Sequence, residues 1–398
     1  MIRFDLAYSI LNQFQFVKYG DLFDITIIDD VFPFHISPWR NIEYLEIADR
    51  FKTRIFSDGL EYNRLLPPNT KYRNALTKFN KVYPYSKIYP KKLKLFSPLN
   101  TKLSYFLFYG YLLRYKKHIY KHKVNLCFNI YPGGGFDTHS SEVKMNLIEL
   151  TQYSRFKDVI VTQNYSRDYL INEIGVPSEK VHTFKNVILL PEFLSFDPFV
   201  EKKWYGINKS TFDVAFVANK YVEGGADKGF DVFLSSAKTL LRKYNFINFH
   251  IVGGFTINDI PKDIPLDNFN FYGFRDFNFF INLYKNVDAF ISPNKPFVKG
   301  GNFDGFPLGT SYEAGLCGAV VMMTDYLNEN ECYINGEDYL NINEGVDQII
   351  AYIDDLIKKP DSMSNFVKNF RKKTIDYSQN NITLKNKLSV LSNIINNI

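Results

Sequence analysis

PNKPFVKGGNFDGFPLGTSYEAGLCGAVVMMTD, Pro293–Asp325, is the stretch on which the reading of the fold turns. An apolar strand, DAFISPN, runs into Pro293. A glycine-rich loop carrying Asp304 follows, then a helix opening near Thr310 or Ser311, then a second apolar strand, AVVMMTD. Strand, loop, helix and strand in that order form the repeating unit of a parallel sheet covered by helices. The spacing predicts Glu313 in the first turn of the helix. A helix N-terminus carries unpaired N–H groups and the positive end of the dipole, so Gly309, Thr310 and Ser311 would suit a diphosphate. A carboxylate there does not favour phosphate, but it can accept hydrogen bonds from ribose hydroxyls. On the residues alone, Asp304 could also be a plain turn residue, and Glu313 a charge that complements the dipole.

The same alternation extends outward in both directions. Upstream, the pattern predicts a strand at Phe212–Ala218, a helix at Phe230–Tyr244, strands at FHIVGG and FNFYGF, and a helix at Phe277–Asn286. Downstream come a helix at Glu344–Lys358 and helical segments from Ser362 onward. In the first half the predicted strands are Ile25–Ile28, Arg54–Ser57, Val124–Ile130, Asp158–Thr162 and Lys180–Val187. The predicted helices there are Asn41–Phe51, Thr101–Lys121, Glu142–Ser154 and Ser166–Ile174. Between about Leu190 and Ser210 the alternation lapses. A chain of 398 residues exceeds what one hydrophobic core usually serves. The expectation is an α/β protein of two doubly wound domains: residues 1–190, a linker at 191–210, residues 211–375, and a final helix at 376–398. Ligands of such sheets bind outside the carboxyl ends of the strands.

Composition narrows the classes. No stretch approaches the roughly 20 apolar residues of a membrane span, and the opening MIRFDLAYSILNQFQF lacks the pattern of a signal peptide. Three cysteines, Cys127, Cys317 and Cys332, without paired spacing read as reduced thiols in a cytosolic protein. The net charge of +6 is concentrated: from Lys81 to Lys123 there are eleven Lys and Arg residues, eight tyrosines and no Asp or Glu. Cations with interleaved aromatics fit a membrane surface bearing anionic headgroups, nucleic acid, or a solvated helix whose aromatics enter the core. Because the excess is local, nucleic acid is the least favoured partner. The six histidines show no metal-ligand spacing.

DGFPLGTSYEAGLCGAVVMMTD resembles the signature of the retaining, group-1 type GT-B glycosyltransferases, related to glycosyltransferase family 4. In that family two Glu separated by seven residues hold the transferred sugar and the nucleotide ribose. Here Glu313 matches the second, Asp304 replaces the first, and eight residues lie between them. FVANKYVEGGADKGFDVFLSSA is similar to the family's strand, loop and helix in which basic residues clamp the diphosphate, and this implies that role for Lys220 and Lys228. FNFYGFRDF resembles the segment that holds the base, here Gly273, Phe274 and Arg275. FHIVGG and LYKNVDAFISPN resemble the flanking strands. In the first half NIYPGGGFDTHSS places Gly133, Gly134 and Gly135 at the end of a strand, where bare backbone can approach a sugar or anion. His139 just beyond resembles the histidine that contacts the donor sugar in many relatives, although a lone His is more often structural. Arg40, at the start of the first helix, could reach a phosphate or acceptor, or could simply lie on the helix surface.

The resemblance implies a GT-B fold, two Rossmann-like domains facing a central cleft. The activity it implies is transfer from a UDP- or GDP-sugar to a glycan or lipid-linked acceptor, with retention of configuration. Bacterial surface polysaccharide synthesis is the expected setting, with the basic segment docking on the cytoplasmic face of the membrane. Asp29-Asp30 and Asp354-Asp355 are not the spaced acids that hold a metal in the other major glycosyltransferase fold, so no metal and no cofactor are expected. Two alternatives remain on the same fold: a non-catalytic sugar- or nucleotide-binding module, and a nucleotide-sugar epimerase or phosphorylase.

Overall fold

A computed structural model describes residues 21–34, 38–57, 71–94, 97–133, 135–380 and 383–398. The chain forms two compact units, Met1–Ile188 together with Thr383–Ile398, and Leu189–Ile382.

The first unit is built on a parallel sheet of seven strands: β1 (Phe23–Asp29), β2 (Thr53–Ser57), β3 (Tyr89–Lys92), β4 (Thr101–Phe106), β5 (Asn125–Ile130), β6 (Phe156–Val161) and β7 (Val181–Thr183). Their order is β3-β2-β1-β4-β5-β6-β7. The order reverses at β1 and β4, so the loop after β1 opens at the switch point of the sheet. The central strands are apolar and covered on both faces, as parallel sheets require.

On one face, Ile25, Ile27, Ile55, Leu103 and Tyr105 pack with Tyr44 and Ile47 of the helix Pro38–Arg50 and with Leu388, Leu391 and Ile394 of the last helix, Thr383–Asn396. That last helix is fixed by a buried ion pair. Lys387 Nζ lies 3.0 Å from Glu43 Oε1, and both side chains are almost wholly buried. Tyr105 donates to the same carboxylate at 2.9 Å, and Thr383 Oγ1 donates to the Lys185 carbonyl at 2.7 Å.

Two strands depart from the sequence expectation. The stretch Thr101–Lys121, expected as one long helix, divides into β4 and a helix at Tyr109–His122. TKLSYF lies between β1 and β5 and takes ladder bonds from both. Its Thr, Tyr and Phe suit a pleated, covered surface, and that setting decides the outcome over helical spacing. Strand β3, YPKK, was not foreseen. It is an edge strand, where Pro90 needs no ladder donor and exposed Lys91 and Lys92 discourage further pairing. The strand expected at Lys180–Val187 is regular only over β7.

The second unit has a six-stranded parallel sheet: β8 (Phe212–Ala218), β9 (Ile247–Gly253), β10 (Phe269–Gly273), β11 (Ala289–Ser292), β12 (Val320–Met323) and β13 (Leu340–Asn341), in the order β10-β9-β8-β11-β12-β13. Its core joins Phe216, Phe230, Phe233 and Phe249 to Ile349, Ile353 and Val367 of the later helices.

Residues 191–210, expected as a linker, are instead packed into this unit. Phe193 meets Phe277 ring to ring at 5.1 Å, Trp204 is buried, and buried Lys202 donates to the Val287 carbonyl. Lys209 bridges Asp213 at 2.7 Å and Asp288 at 2.6 Å. These charges close the amino edge of the sheet. Burial alone would raise the Asp213 carboxyl, but bonds from His250 and Lys209 hold it well below the usual range. The lapse in alternation reflects a segment that spends its residues on an edge rather than on a layer.

Candidate active site

The opposite, carboxyl edge of the second sheet gathers most of the sequence-predicted residues, and glycines set how closely its loops approach. Gly253, at the end of β9, has φ +124°, and a Cβ there would lie 1.8 Å from the Ala218 carbonyl oxygen at the end of β8. Gly229 has φ +65°, and its Cβ would fall 1.9 Å from the Pro293 carbonyl oxygen. No other residue type fits either place without backbone movement. The two contacts bring the loops after β8, β9 and β11 together.

Lys228, directly before Gly229, is only 7% exposed. Its ammonium donates to both oxygens of Asp304, at 2.7 and 2.6 Å. The Asp227 carboxylate stands 3.8 Å away, and the Tyr221 ring lies 5.1 Å from the ammonium. Burial pushes the Asp227 carboxyl up and Asp304 adds to the rise, against the pull of Lys228. Asn294 donates to Asp304 Oδ2 at 2.5 Å. Two residues that the sequence marks separately, Lys228 and Asp304, are thus one ion pair.

Lys220 pairs with Asp259, whose own carboxylate closes the capping box begun by Thr256. Its neighbours include Phe274: a Cβ on Gly254 would lie 3.5 Å from Lys220 Cβ and 3.4 Å from Phe274 Cζ. Phe274 is 65% exposed. Gly273 has φ +64° beside a register shift between β9 and β10, which turns Phe274 and Arg275 out of the sheet. The Arg275 guanidinium lies 5.4 Å over the Phe279 ring.

The helix Gly309–Leu316 starts with Leu308 as its N-cap and has no side-chain cap. Ser311 and Tyr312 N–H groups turn back to the Leu308 carbonyl. Among the described residues, Gly309 and Thr310 N–H groups have no acceptor, and the buried Ser311 hydroxyl has no partner. Glu313 sits in the second turn, one turn later than its spacing suggested, because the helix begins at Gly309. It is half-buried and has no hydrogen bond or ion pair among the described residues. With no cation to offset it, burial pushes its carboxyl up to about 8. Its electrostatic neighbours are Tyr284 and Cys317, and among the described residues no hydrogen bond or ion pair joins it to Lys220 or Lys228.

In the first unit, Gly133 and Gly135 form a tight turn with φ +79° and +89°, closed by Phe136 N–H on the Gly133 carbonyl at 3.0 Å. Gly134 lies outside the described residues. His139 is exposed, and its N–H is held by Asp137 at 3.0 Å. Arg40, read from the sequence as reaching a phosphate or acceptor or as lying on the helix surface, is held by two acids in the free protein. Its guanidinium pairs with Asp29 at 3.2 Å and Asp30 at 3.0 Å, 4.4 Å over the Phe108 ring. Asp29 also accepts from Tyr44 at 2.6 Å and from the N–H groups of Val31 and Phe32. Burial and the neighbouring Asp29 push the Asp30 carboxyl up to about 7, against Arg40.

Sequence reading missed Asn294 and Asp259. Asn294 follows the strand-ending Pro293 directly, and that place at the carboxyl edge was the available signal.

The two doubly wound parallel sheets are those of the GT-B fold, which the chain shares with solved glycosyltransferases. Residues 206–373, most of the second unit, match the family model described as Glycosyl transferases group 1. No curated protein sequence matches the chain. Among solved structures, a glycosyltransferase from Rickettsia africae is similar with a TM-score of 0.63 at 14% identity, over 95% of this chain and 100% of that one. HepE from Anabaena, in complex with UDP-glucose, gives 0.62 at 16% identity, over 93% and 100%. Sucrose-phosphate synthase from Thermosynechococcus elongatus gives 0.58 at 13%, over 93% and 99%.

Proposed function

We propose that the chain is a retaining glycosyltransferase that moves a sugar from a UDP- or GDP-sugar to a glycan or lipid-linked acceptor, without a metal or cofactor. The observation that carries the reading is the buried Lys228–Asp304 pair, set at the carboxyl edge near a helix whose first N–H groups are unpaired. The UDP-glucose held by the Anabaena protein supports the donor class. In this reading Phe274 offers a face for the base and Glu313 accepts from ribose hydroxyls. Lys220, Lys228 and the N–H groups of Gly309 and Thr310 meet the diphosphate.

As the bond from the anomeric carbon to the phosphate oxygen breaks, negative charge grows on the departing diphosphate. A lysine already fixed and sheltered from water stabilises that charge more than it stabilises the ground state. Asp304 takes sugar hydroxyls. The acceptor oxygen bonds to the same face of the anomeric carbon, and its proton passes to the departing phosphate. The first unit, with His139 and the Gly133–Gly135 turn, takes the acceptor side.

The test is mass-spectrometric detection of transfer or donor cleavage across a panel of UDP- and GDP-sugars. Lys228→Ala is expected to lower turnover about a hundredfold, the usual effect of removing one well-placed donor to a developing anion. Tight nucleotide binding without any turnover would favour the binding module.

We also propose that the enzyme works at an anionic membrane surface in surface polysaccharide synthesis. Among the described residues, no helix is long and apolar enough to cross a membrane. Support comes from the stretch Lys81–Lys92, where Val82, Tyr85 and Tyr89 are exposed beside Lys81, Lys87, Lys91 and Lys92. Lys116 is spent on Glu149 at 2.6 Å. Reversing Lys81, Lys91 and Lys92 to Glu should abolish binding to vesicles containing phosphatidylglycerol, whereas Lys116→Glu should not. Unchanged binding of the triple variant would end the docking idea.

A further inference from the structure

We propose that Asn294 is a positioning residue for the transfer step, acting through Asp304; this rests on the reading of the second unit as the donor-binding unit. Asn294 sits two residues beyond β11 and is tied to three elements of the carboxyl edge. Its Oδ1 accepts from Ser292 Oγ at 2.8 Å. Its Nδ2 donates to Asp304 Oδ2 at 2.5 Å. Its main-chain carbonyl accepts from Thr324 Oγ1, just past β12, at 2.6 Å. The next residue, Lys295, donates its N–H to the Asp227 carbonyl at 3.0 Å, on the segment that carries Lys228.

The direction of the amide follows from these partners. Turned over, its carbonyl oxygen would face a carboxylate that can only accept. Asp304 itself lies on a loop that contains Gly300, Gly301 and Gly305 and supplies little stiffness of its own. Lys228 grips both carboxylate oxygens but is a point charge on a long stem, and it fixes distance better than direction. Asn294 supplies the direction. The two side chains also line one cavity at the ends of β11 and β12, with Phe306, Thr324 and Tyr326. The lone pairs of Asp304 left over by Lys228 and Asn294 are therefore held in a set orientation at the mouth of that cavity. A sugar hydroxyl bound there would be placed by a carboxylate that does not turn. Its hydrogen-bond partners are Ser292, Asp304 and Thr324, not Phe274 or Glu313, so nucleotide affinity should not depend on it.

The experiment uses the full chain with UDP- and GDP-hexoses, reading kcat and KM for the donor, and uses calorimetry for UDP and GDP. Asn294→Ala is expected to lower kcat about tenfold or more, the scale of a lost hydrogen bond to a charged group, with nucleotide affinity within about twofold of wild type. Asn294→Asp is the sharper variant, because it keeps the shape. Ionised, it sets a second carboxylate against Asp304 and should depress kcat further. Protonated, it regains an O–H donor, so kcat should recover as pH falls, opposite to any acid loss in the wild type. A purely structural role gives no such recovery. Wild-type kcat in Asn294→Ala, a loss of nucleotide affinity matching the loss of kcat, or no recovery in Asn294→Asp would each overturn the inference alone. A wild-type protein that turns over none of the donors overturns the functional reading, and the inference with it.

Discussion

The carboxyl edges of the two sheets are built alike and finished differently. After β1 of the first unit, Asp29 and Asp30 meet Arg40, and Tyr44 and two main-chain N–H groups take up the rest of Asp29. Deeper in that unit, Lys387 and Glu43 neutralise one another within reach of two tyrosines. In both clusters the charges are spent on holding elements together. At the edge of the second sheet, Lys228 pairs with Asp304, which lines a cavity, and Glu313, Ser311 and two helical N–H groups have no partners among the described residues. Burying a polar group without a partner costs stability. A sheet edge that carries several such groups is arranged for a ligand that supplies the partners. The fold class is common to both units, and so are buried polar atoms without partners, Asn129 and Thr162 at the ends of β5 and β6 among them; what marks the second edge is that such a group stands beside a carboxylate, Glu313, whose burial no cation offsets.

The comparison breaks most visibly at Lys387. Lys387→Ala leaves Glu43 buried and uncompensated, for a cost of about 3–5 kcal/mol. Denaturant unfolding should show that loss, while the nucleotide affinity of whatever remains folded should match wild type. A loss of affinity with stability intact would remove the distinction between the units.

Next in size is Gly253→Ala, which sharpens the second unit's side of the contrast. The new Cβ meets the Ala218 carbonyl at 1.8 Å, at a φ that disfavours side chains. Backbone must shift, at a cost of about 1–3 kcal/mol. Because the shift separates the ends of β8 and β9, nucleotide binding should fall by more than the stability change accounts for. Calorimetry and unfolding on one sample compare the two.

Much of this was legible before the structure. The alternation of Phe212–Ala218, Phe230–Lys243 and the stretches around β11 and β12 fixed the second unit's layers, because long periodic segments declare their type. The segment Thr101–Phe106 did not, since apolar residues spaced for a helix also alternate, and only pairing with β1 and β5 decides between them. Residue types marked Lys228 and Asp304 as candidates but could not show that they bind each other. That contact depends on Gly229 pressing against Pro293, across 64 positions of sequence. The pairing of Arg40 was hidden for a related reason. Its basic charge was visible, but the loop geometry that brings Asp29 and Asp30 to it was not.

The effect most specific to an unspent group is the pH dependence of Glu313. Burial raises its carboxyl from an ordinary value of 4.5 to about 8. Between those values the folded state holds a proton that the unfolded chain has released. Stability therefore falls as pH rises from about 4.5 to about 8, and the full cost of the charge is present above that range. Glu313→Gln removes the slope: its stability should equal wild type near pH 4 and exceed it at pH 8.5. Saturating nucleotide should reverse the order at pH 8.5, since ribose hydroxyls donate better to a carboxylate than to an amide oxygen. If the variant and wild type keep parallel stability curves with and without nucleotide, Glu313 is already satisfied in the free protein. The second unit's edge would then lack the uncompensated carboxylate that sets it apart from the first.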